Sequence, residues 1–103
     1  VHELDTLMRL RSLVGFPVRH YSLLGVNNRD LKTMTVDINT TSRLAEFVDN
    51  RRELVAESGI RTRADVDKLV KVGVGAVLIG EILCRSQNIT AGFEELFGKA
   101  GRP

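Results

Sequence analysis

Three short apolar runs, each continuous rather than alternating, constrain this chain more than any other feature: Ser22 to Val26, Leu54 to Ala56 and Ala76 to Ile79. A strand with one wet face alternates polar and apolar residues, whereas a strand buried on both faces is apolar at successive positions. Such strands belong to parallel sheets, whose neighbours are joined by crossovers of a dozen or more residues. The stretches between the runs are long enough and carry helical spacing. Leu44, Phe47 and Val48 fall at i, i+3, i+4 after the cap candidates Asn39-Thr40-Thr41. Thr62 with Asp65 three residues on reads as a capping box, Val66, Leu69 and Val70 follow, and Gly73 supplies the stop. Phe93, Leu96 and Phe97 repeat the spacing after Thr90, and Leu4, Leu7 and Met8 open a further helix that should fail near Gly15-Phe16-Pro17. The result is an α/β chain: a helix, then three strand-helix units.

The strand starts lie 32 and 22 residues apart, near the ~31 that an eight-unit barrel of about 250 residues spends on each unit. Three strands cannot close a barrel. The chain is therefore either a small open sheet with helices on both faces or part of something larger, and bare apolar sheet edges favour the second. At 103 residues it is one small domain, and 43% apolar residues exclude a disordered tail. Fifteen Lys and Arg against thirteen Asp and Glu, interspersed, with four Phe and one Tyr, speak against a nucleic-acid surface. No apolar run approaches the ~20 residues of a membrane span, so a soluble protein is expected. Cys84 is alone, so no internal disulfide can form, and nothing at the start of the chain reads as a signal peptide, the pattern expected of the cytoplasm. Cys84 sits in an apolar stretch and should be a buried small side chain. His2 and His20 have no second ligand at metal spacing, so no metal site is expected.

The polar residues recur at one place. Asn27, Glu57 and Gly80 each follow an apolar run, at the C-terminal end of a strand, the rim where barrels and open α/β sheets hold their ligands. Glu57 can accept a proton or a substrate hydroxyl's hydrogen bond; an exposed loop glutamate is the plain alternative. Ser58-Gly59 suits a backbone approached closely by a ligand, or an ordinary turn. Gly80 and the backbone of Glu81 can form an anion site with the donors near Gly59, or Gly80 can simply end a strand. The Glu81 side chain should then point away from the anion. Asn27 can orient a substrate and Arg29 can clamp a carboxylate through its planar fork, although Asn27-Asn28-Arg29-Asp30 also makes a good turn with a surface ion pair.

Taken together, "LLGVNNRDLKTMTVD" (Leu23 to Asp37), "VAESGI" and "AVLIGEIL" resemble the sixth-, seventh- and eighth-strand blocks of the indole-3-glycerol phosphate synthases, in family order from Val1 to about Gly98. The resemblance implies an eight-stranded β/α (TIM) barrel of which residues 1–103 are the C-terminal half: strands 6 to 8 with helices 5 to 8, starting at the end of strand 5. It implies ring closure of 1-(2-carboxyphenylamino)-1-deoxyribulose 5-phosphate with loss of carbon dioxide and water, a lyase step of tryptophan biosynthesis needing neither metal nor organic cofactor. By motif match, Asn27 and Glu57 would meet the reacting ribulose, Arg29 the anthranilate end, and Ser58, Gly59, Gly80 and the Glu81 backbone the phosphate.

Departures from the family pattern sharpen the expectation. The family's lysines and glutamates of strands 1, 3 and 5 are absent, the last normally standing just before Val1-His2. Leu13 to Ser22 is longer than in compact members, and Ile82 stands where many have serine. Loss of one positioned proton donor costs ~10²- to 10⁴-fold in rate, so the 103 residues alone should bind phosphate yet be inactive. Their expected partners are the sugar phosphate and either a missing N-terminal half-barrel or a second copy joined through sheet edges. Two rival readings are another phosphate-binding barrel isomerase or synthase, against which Asn27-Asn28-Arg29 argues, and a non-catalytic half-barrel that dimerises.

Overall fold

A computed structural model describes residues 1–14 and 23–98. Helix α1 (Leu4–Val14) precedes strand β1 (Leu24–Asn27); helix α2 (Asn39–Ala45) and a 3-10 turn at Arg51–Glu53 lead to β2 (Leu54–Glu57). Helix α3 (Arg63–Val72) leads to β3 (Ala76–Leu78), and two helices follow, α4 (Glu81–Arg85) and α5 (Ile89–Phe97). The strands form one parallel sheet in the order β1-β2-β3. The expected helix and three strand-helix units are thus present. Ser22, His20 and the helix stop at Gly15-Phe16-Pro17 lie outside the described residues, as does most of the Leu13 to Ser22 stretch.

Register sorts the sheet into two unlike faces. Leu24 pairs with Leu54, and Val26 with Ala56, which pairs in turn with Val77. These residues form the floor of the core. Leu7 of α1 and Leu44 and Ala45 of α2 pack over Leu24, Val26 and Leu54; Val66 and Leu69 of α3 and Leu96 of α5 pack with Ala56 and Ile60. The other face carries Gly25 and Asn27, Val55 and Glu57, Ala76 and Leu78. No helix contributes to it among the described residues, and Leu78 is 62% exposed. Consecutive apolar residues suggested strands buried on both faces; β1 and β2 instead alternate buried and half-buried, and β3 is mostly exposed. The reason is that all the helices reaching the core lie over one face, as in a barrel wall rather than a doubly wound sheet. Among the described residues no helix covers the second face, which favours a partial barrel over an open sheet with helices on both faces.

Val1 runs along the far edge of β1: its ammonium donates to the Gly25 carbonyl at 2.6 Å, and its own carbonyl accepts from the Asn27 N–H at 2.6 Å. The outer edge of β3 pairs with no strand among the described residues.

Local chemistry explains the helix ends, with some departures from the sequence reading. Thr62 and Asp65 form the reciprocal capping box, and Gly73 closes α3 in the left-handed conformation at φ 99°, as its sequence indicates. Helix α2 differs: Asn39-Thr40-Thr41 lie inside it, Ile38 precedes it without a side-chain cap, and its first turn is held by Asp37, whose Oδ1 accepts from the Asn39 N–H at 2.9 Å. It ends at Ala45, before Phe47 and Val48, whose N–H groups make tight-turn bonds to Leu44 and Ala45. Helix α5 starts one residue before Thr90 and is capped by the Asn88 side chain. In the short α4, Ile82 and Leu83 turn toward the core, and Cys84, expected to be buried, is exposed. No described helix is long and apolar enough to cross a membrane.

Two outcomes follow from the caps. Thr62→Ala removes the hydroxyl of the capping box and should lower unfolding free energy by about 1 kcal/mol, read by urea denaturation. The Asn39 N–H, and then Arg43, lower the Asp37 pKa. A carboxyl whose folded pKa is depressed contributes stability that is complete above its unfolded value and fades as pH falls through the folded one. The gap in urea midpoint between wild type and Asp37→Asn should therefore be larger at neutral pH and close in acid below about pH 4.

Candidate functional site

Level strand ends bring the polar residues together. Asn27 sits opposite Glu57 across β1 and β2, and Glu57 opposite Leu78 across β2 and β3, all on the face the helices leave bare. Glu57 is half-buried rather than an exposed loop glutamate. Its carboxylate lies over Gly25, where a Cβ would collide with Oε2, so a larger residue at that point would push the carboxylate aside. Asn27 Oδ1 accepts from the Arg29 N–H at 2.9 Å, which fixes the carboxamide at the strand's end.

Beyond these ends opens a cleft of about 490 Å³. Arg29 lines it from the first loop, Glu57, Ser58, Gly59, Ile60 and Arg61 from the second, and residues 78–82 with Arg85 from the third. Six of the seven residues singled out in the sequence border this space: Arg29, Glu57, Ser58, Gly59, Gly80 and Glu81. Asn27 stands beside Glu57 but does not line it.

The loops are shaped by buried polar bonds. Asn28 is fully buried, and its carboxamide donates to the Ser58 carbonyl at 3.0 Å while accepting from the Thr41 N–H at 3.1 Å and hydroxyl at 2.7 Å. Its backbone N–H donates to the Glu57 carbonyl at 2.8 Å, and its carbonyl accepts from the Asp37 N–H at 2.9 Å. One side chain thus ties β1, the loop after β2 and the first turn of α2. Sequence reading passed over it; its only signal was a second asparagine at a strand end. Ser58 and Gly59 both take positive φ, 69° and 78°, with the Val36 side chain occupying the space a Cβ on Gly59 would need. A serine held there stores strain, a condition that clusters at binding sites.

The alternative reading of Asn27-Asn28-Arg29-Asp30 as a turn is correct for Asp30. Its Oδ1 accepts the Lys32 N–H at 2.8 Å, a bond that leads the lowering of its pKa, and its carbonyl accepts from the Met34 N–H. The ion pair forms elsewhere. Arg29 Nη1 donates to the Met34 carbonyl at 3.2 Å, and Nη2 lies 3.6 Å from Glu81 Oε2. Glu81 Oε1 in turn meets Arg85 Nη2 at 3.0 Å. The Glu81 side chain therefore does not turn away as expected, because arginines on either side attract it. Arg61 and Arg85 were not singled out in the sequence, although Arg85 stands four residues after Glu81, the helical ion-pair spacing. Three arginines against two glutamates make the cleft an electropositive space suited to an anion, with one carboxylate, Glu57, available as proton acceptor. Among the described residues no cluster of His, Cys, Asp and Glu could hold a metal.

Asn28→Ala should cost about 1 to 3 kcal/mol, the penalty for orphaning buried partners. Urea denaturation measures it, and amide shifts at Ser58 and Thr41 should move together in the NMR spectrum.

Residues 19–96 match the family model described as indole-3-glycerol phosphate synthase. The chain is 49% identical over 76 residues to the indole-3-glycerol phosphate synthase of Rhodospirillum rubrum, an alignment covering 74% of this chain and 29% of that protein. It is 45% identical over 98 residues to the synthase of Koribacter versatilis, covering 95% of this chain and 35% of the relative. A multifunctional tryptophan biosynthesis protein of Phycomyces blakesleeanus is 51% identical over 76 residues, covering 74% of this chain and 10% of the larger protein. The chain thus spans about a third, or less, of the length of the curated relatives it matches.

Proposed function

The chain belongs to the indole-3-glycerol phosphate synthase family, and from that premise we propose that it is a segment of the enzyme that closes the indole ring in tryptophan biosynthesis. The substrate is 1-(2-carboxyphenylamino)-1-deoxyribulose 5-phosphate, which loses carbon dioxide and water, making the complete protein a carboxy-lyase of the cytoplasm. The observation that carries the proposal is the shared cleft: Glu57 and Arg29 face it together with the Ser58-Gly59 and Gly80-Glu81 turns, at the C-terminal ends of parallel strands. The isomerase and non-catalytic readings are not favoured, since the relatives named above are synthases or tryptophan enzymes.

The roles follow from chemistry. Dehydration and ring closure require a proton to be delivered to a departing oxygen and another to be removed. Glu57 is the proton acceptor, and Asn27 beside it orients the ribulose hydroxyls by donating and accepting. Arg29 meets the carboxylate of the anthranilate end through its fork. Backbone N–H groups of Ser58, Gly59, Gly80 and Glu81 receive the phosphate, which the surrounding arginines attract. These residues include no lysine to deliver a proton, so we propose that the segment alone binds the phosphate without turning it over.

We number the strands 6 to 8 and the helices 5 to 8 of an eight-stranded barrel. Support comes from the helices lying over one face, from Val1 hydrogen-bonding along the outer edge of β1, and from the uncovered Gly25, Val55 and Ala76 side of the sheet. The remaining strands would come from a preceding segment or a partner chain, with self-association through sheet edges as the substitute when neither is present.

Mixing the segment with a separately made N-terminal half should restore indole formation, followed by fluorescence; a well-folded mixture without turnover would refute the assignment. In the complete protein, Glu57→Gln should lower turnover by ~10²- to 10⁴-fold. Undiminished turnover would remove Glu57 from the chemistry.

A further inference from the structure

Glu81 is the one acidic side chain that lines the cleft while already holding two cations. Its Oε1 lies 3.0 Å from Arg85 of its own helix, and its Oε2 lies 3.6 Å from Arg29 on the first loop. Charge-assisted N–H···O bonds close to about 2.7 to 2.9 Å when geometry is good, so the Arg29 contact is loose. Arg29 is anchored independently by the Met34 carbonyl and is 25% exposed, so its guanidinium cannot swing far when Glu81 leaves. Arg85 is 72% exposed and holds only Glu81 among the described residues, which lets it follow an incoming group.

We propose that the Glu81 carboxylate is an internal counter-anion of the cleft, a positioning residue that holds Arg85 at the mouth until a phosphoryl group displaces it, while Arg29 stays on the Met34 carbonyl, free for the substrate carboxylate. The inference rests on the phosphate-handling role proposed above and adds a competitor to it. A carboxylate carries one charge, whereas a phosphate monoester carries close to two and three strong acceptor oxygens, so it displaces Glu81 where chloride or acetate does so poorly. Glu81 thereby makes the cleft selective for dianions, at some cost in raw affinity. The Gly80-Glu81 backbone plays no part in this step.

The test is titration of inorganic phosphate, and separately of chloride, into the 103-residue chain, reading the arginine Nε–H resonances by NMR. Glu81→Gln should bind phosphate about threefold more tightly, the size of an exposed ion-pair exchange, and lose discrimination against chloride. Glu81→Asp should restore the wild-type preference, and Arg85→Gln should weaken phosphate binding by a similar factor of about three. Circular dichroism establishes that each variant is folded. If wild type binds phosphate and Glu81→Gln binds it no better, Glu81 is only a structural tie and the inference fails while the phosphate reading stands. Should the folded wild-type chain and its variants all ignore phosphate, both fail.

Discussion

The carboxamide of Asn28 is the contact on which the site depends. It is buried, lies one residue beyond a strand, and is bonded to the Ser58 carbonyl and to both donors of Thr41. A carboxamide donates from its nitrogen and accepts at its oxygen, which an ionised carboxylate of the same reach cannot do. Because all these partners are desolvated, breaking one leaves the others orphaned, and the network holds or fails as a unit. The strained Ser58, the Gly59 that follows it and the start of α2 are therefore set by the same side chain that ends β1.

That clamp works on a sheet whose two faces have different tasks. One face is closed by α1, α2, α3 and α5 over leucine, valine and alanine. The other presents Gly25, Asn27, Val55, Glu57, Ala76 and Leu78. Only two of those six are polar, and both lie at the rim, in register. Parallel pairing makes this placement inevitable: once Leu24 pairs with Leu54, Asn27 must stand opposite Glu57, and a slip of one residue would turn the polar residue of the slipped strand toward the helices.

Charge in the cleft follows a similar economy. Arg29 and Arg61 arrive from two loops and Arg85 from helix α4, and Glu81 links two of the three. Arginines that share one cleft repel one another, and a carboxylate among them offsets that repulsion. Glu81 supplies that carboxylate from within the chain, which reconciles an acidic side chain with a cleft of net positive charge.

Much of this was legible in the sequence because it is local. The strand runs, the Thr62-Asp65 cap and Gly73 reflect rules that act over a few residues, and the three strand-end motifs carry the family's order. What the sequence could not decide was set by distant partners. Helix α2 takes its start from Asp37 rather than from Asn39-Thr40-Thr41 because Thr41 is needed by Asn28. Cys84 faces outward because a five-residue helix has room for only Ile82 and Leu83 on its inner side. The sequence by itself determined a parallel α/β segment with its chemistry at the strand ends, since periodicity and capping are properties of neighbouring residues. Only the tertiary structure decided which face stays bare, where Asn28 points and which arginines Glu81 holds, since burial and ion pairing belong to groups that folding alone brings within reach.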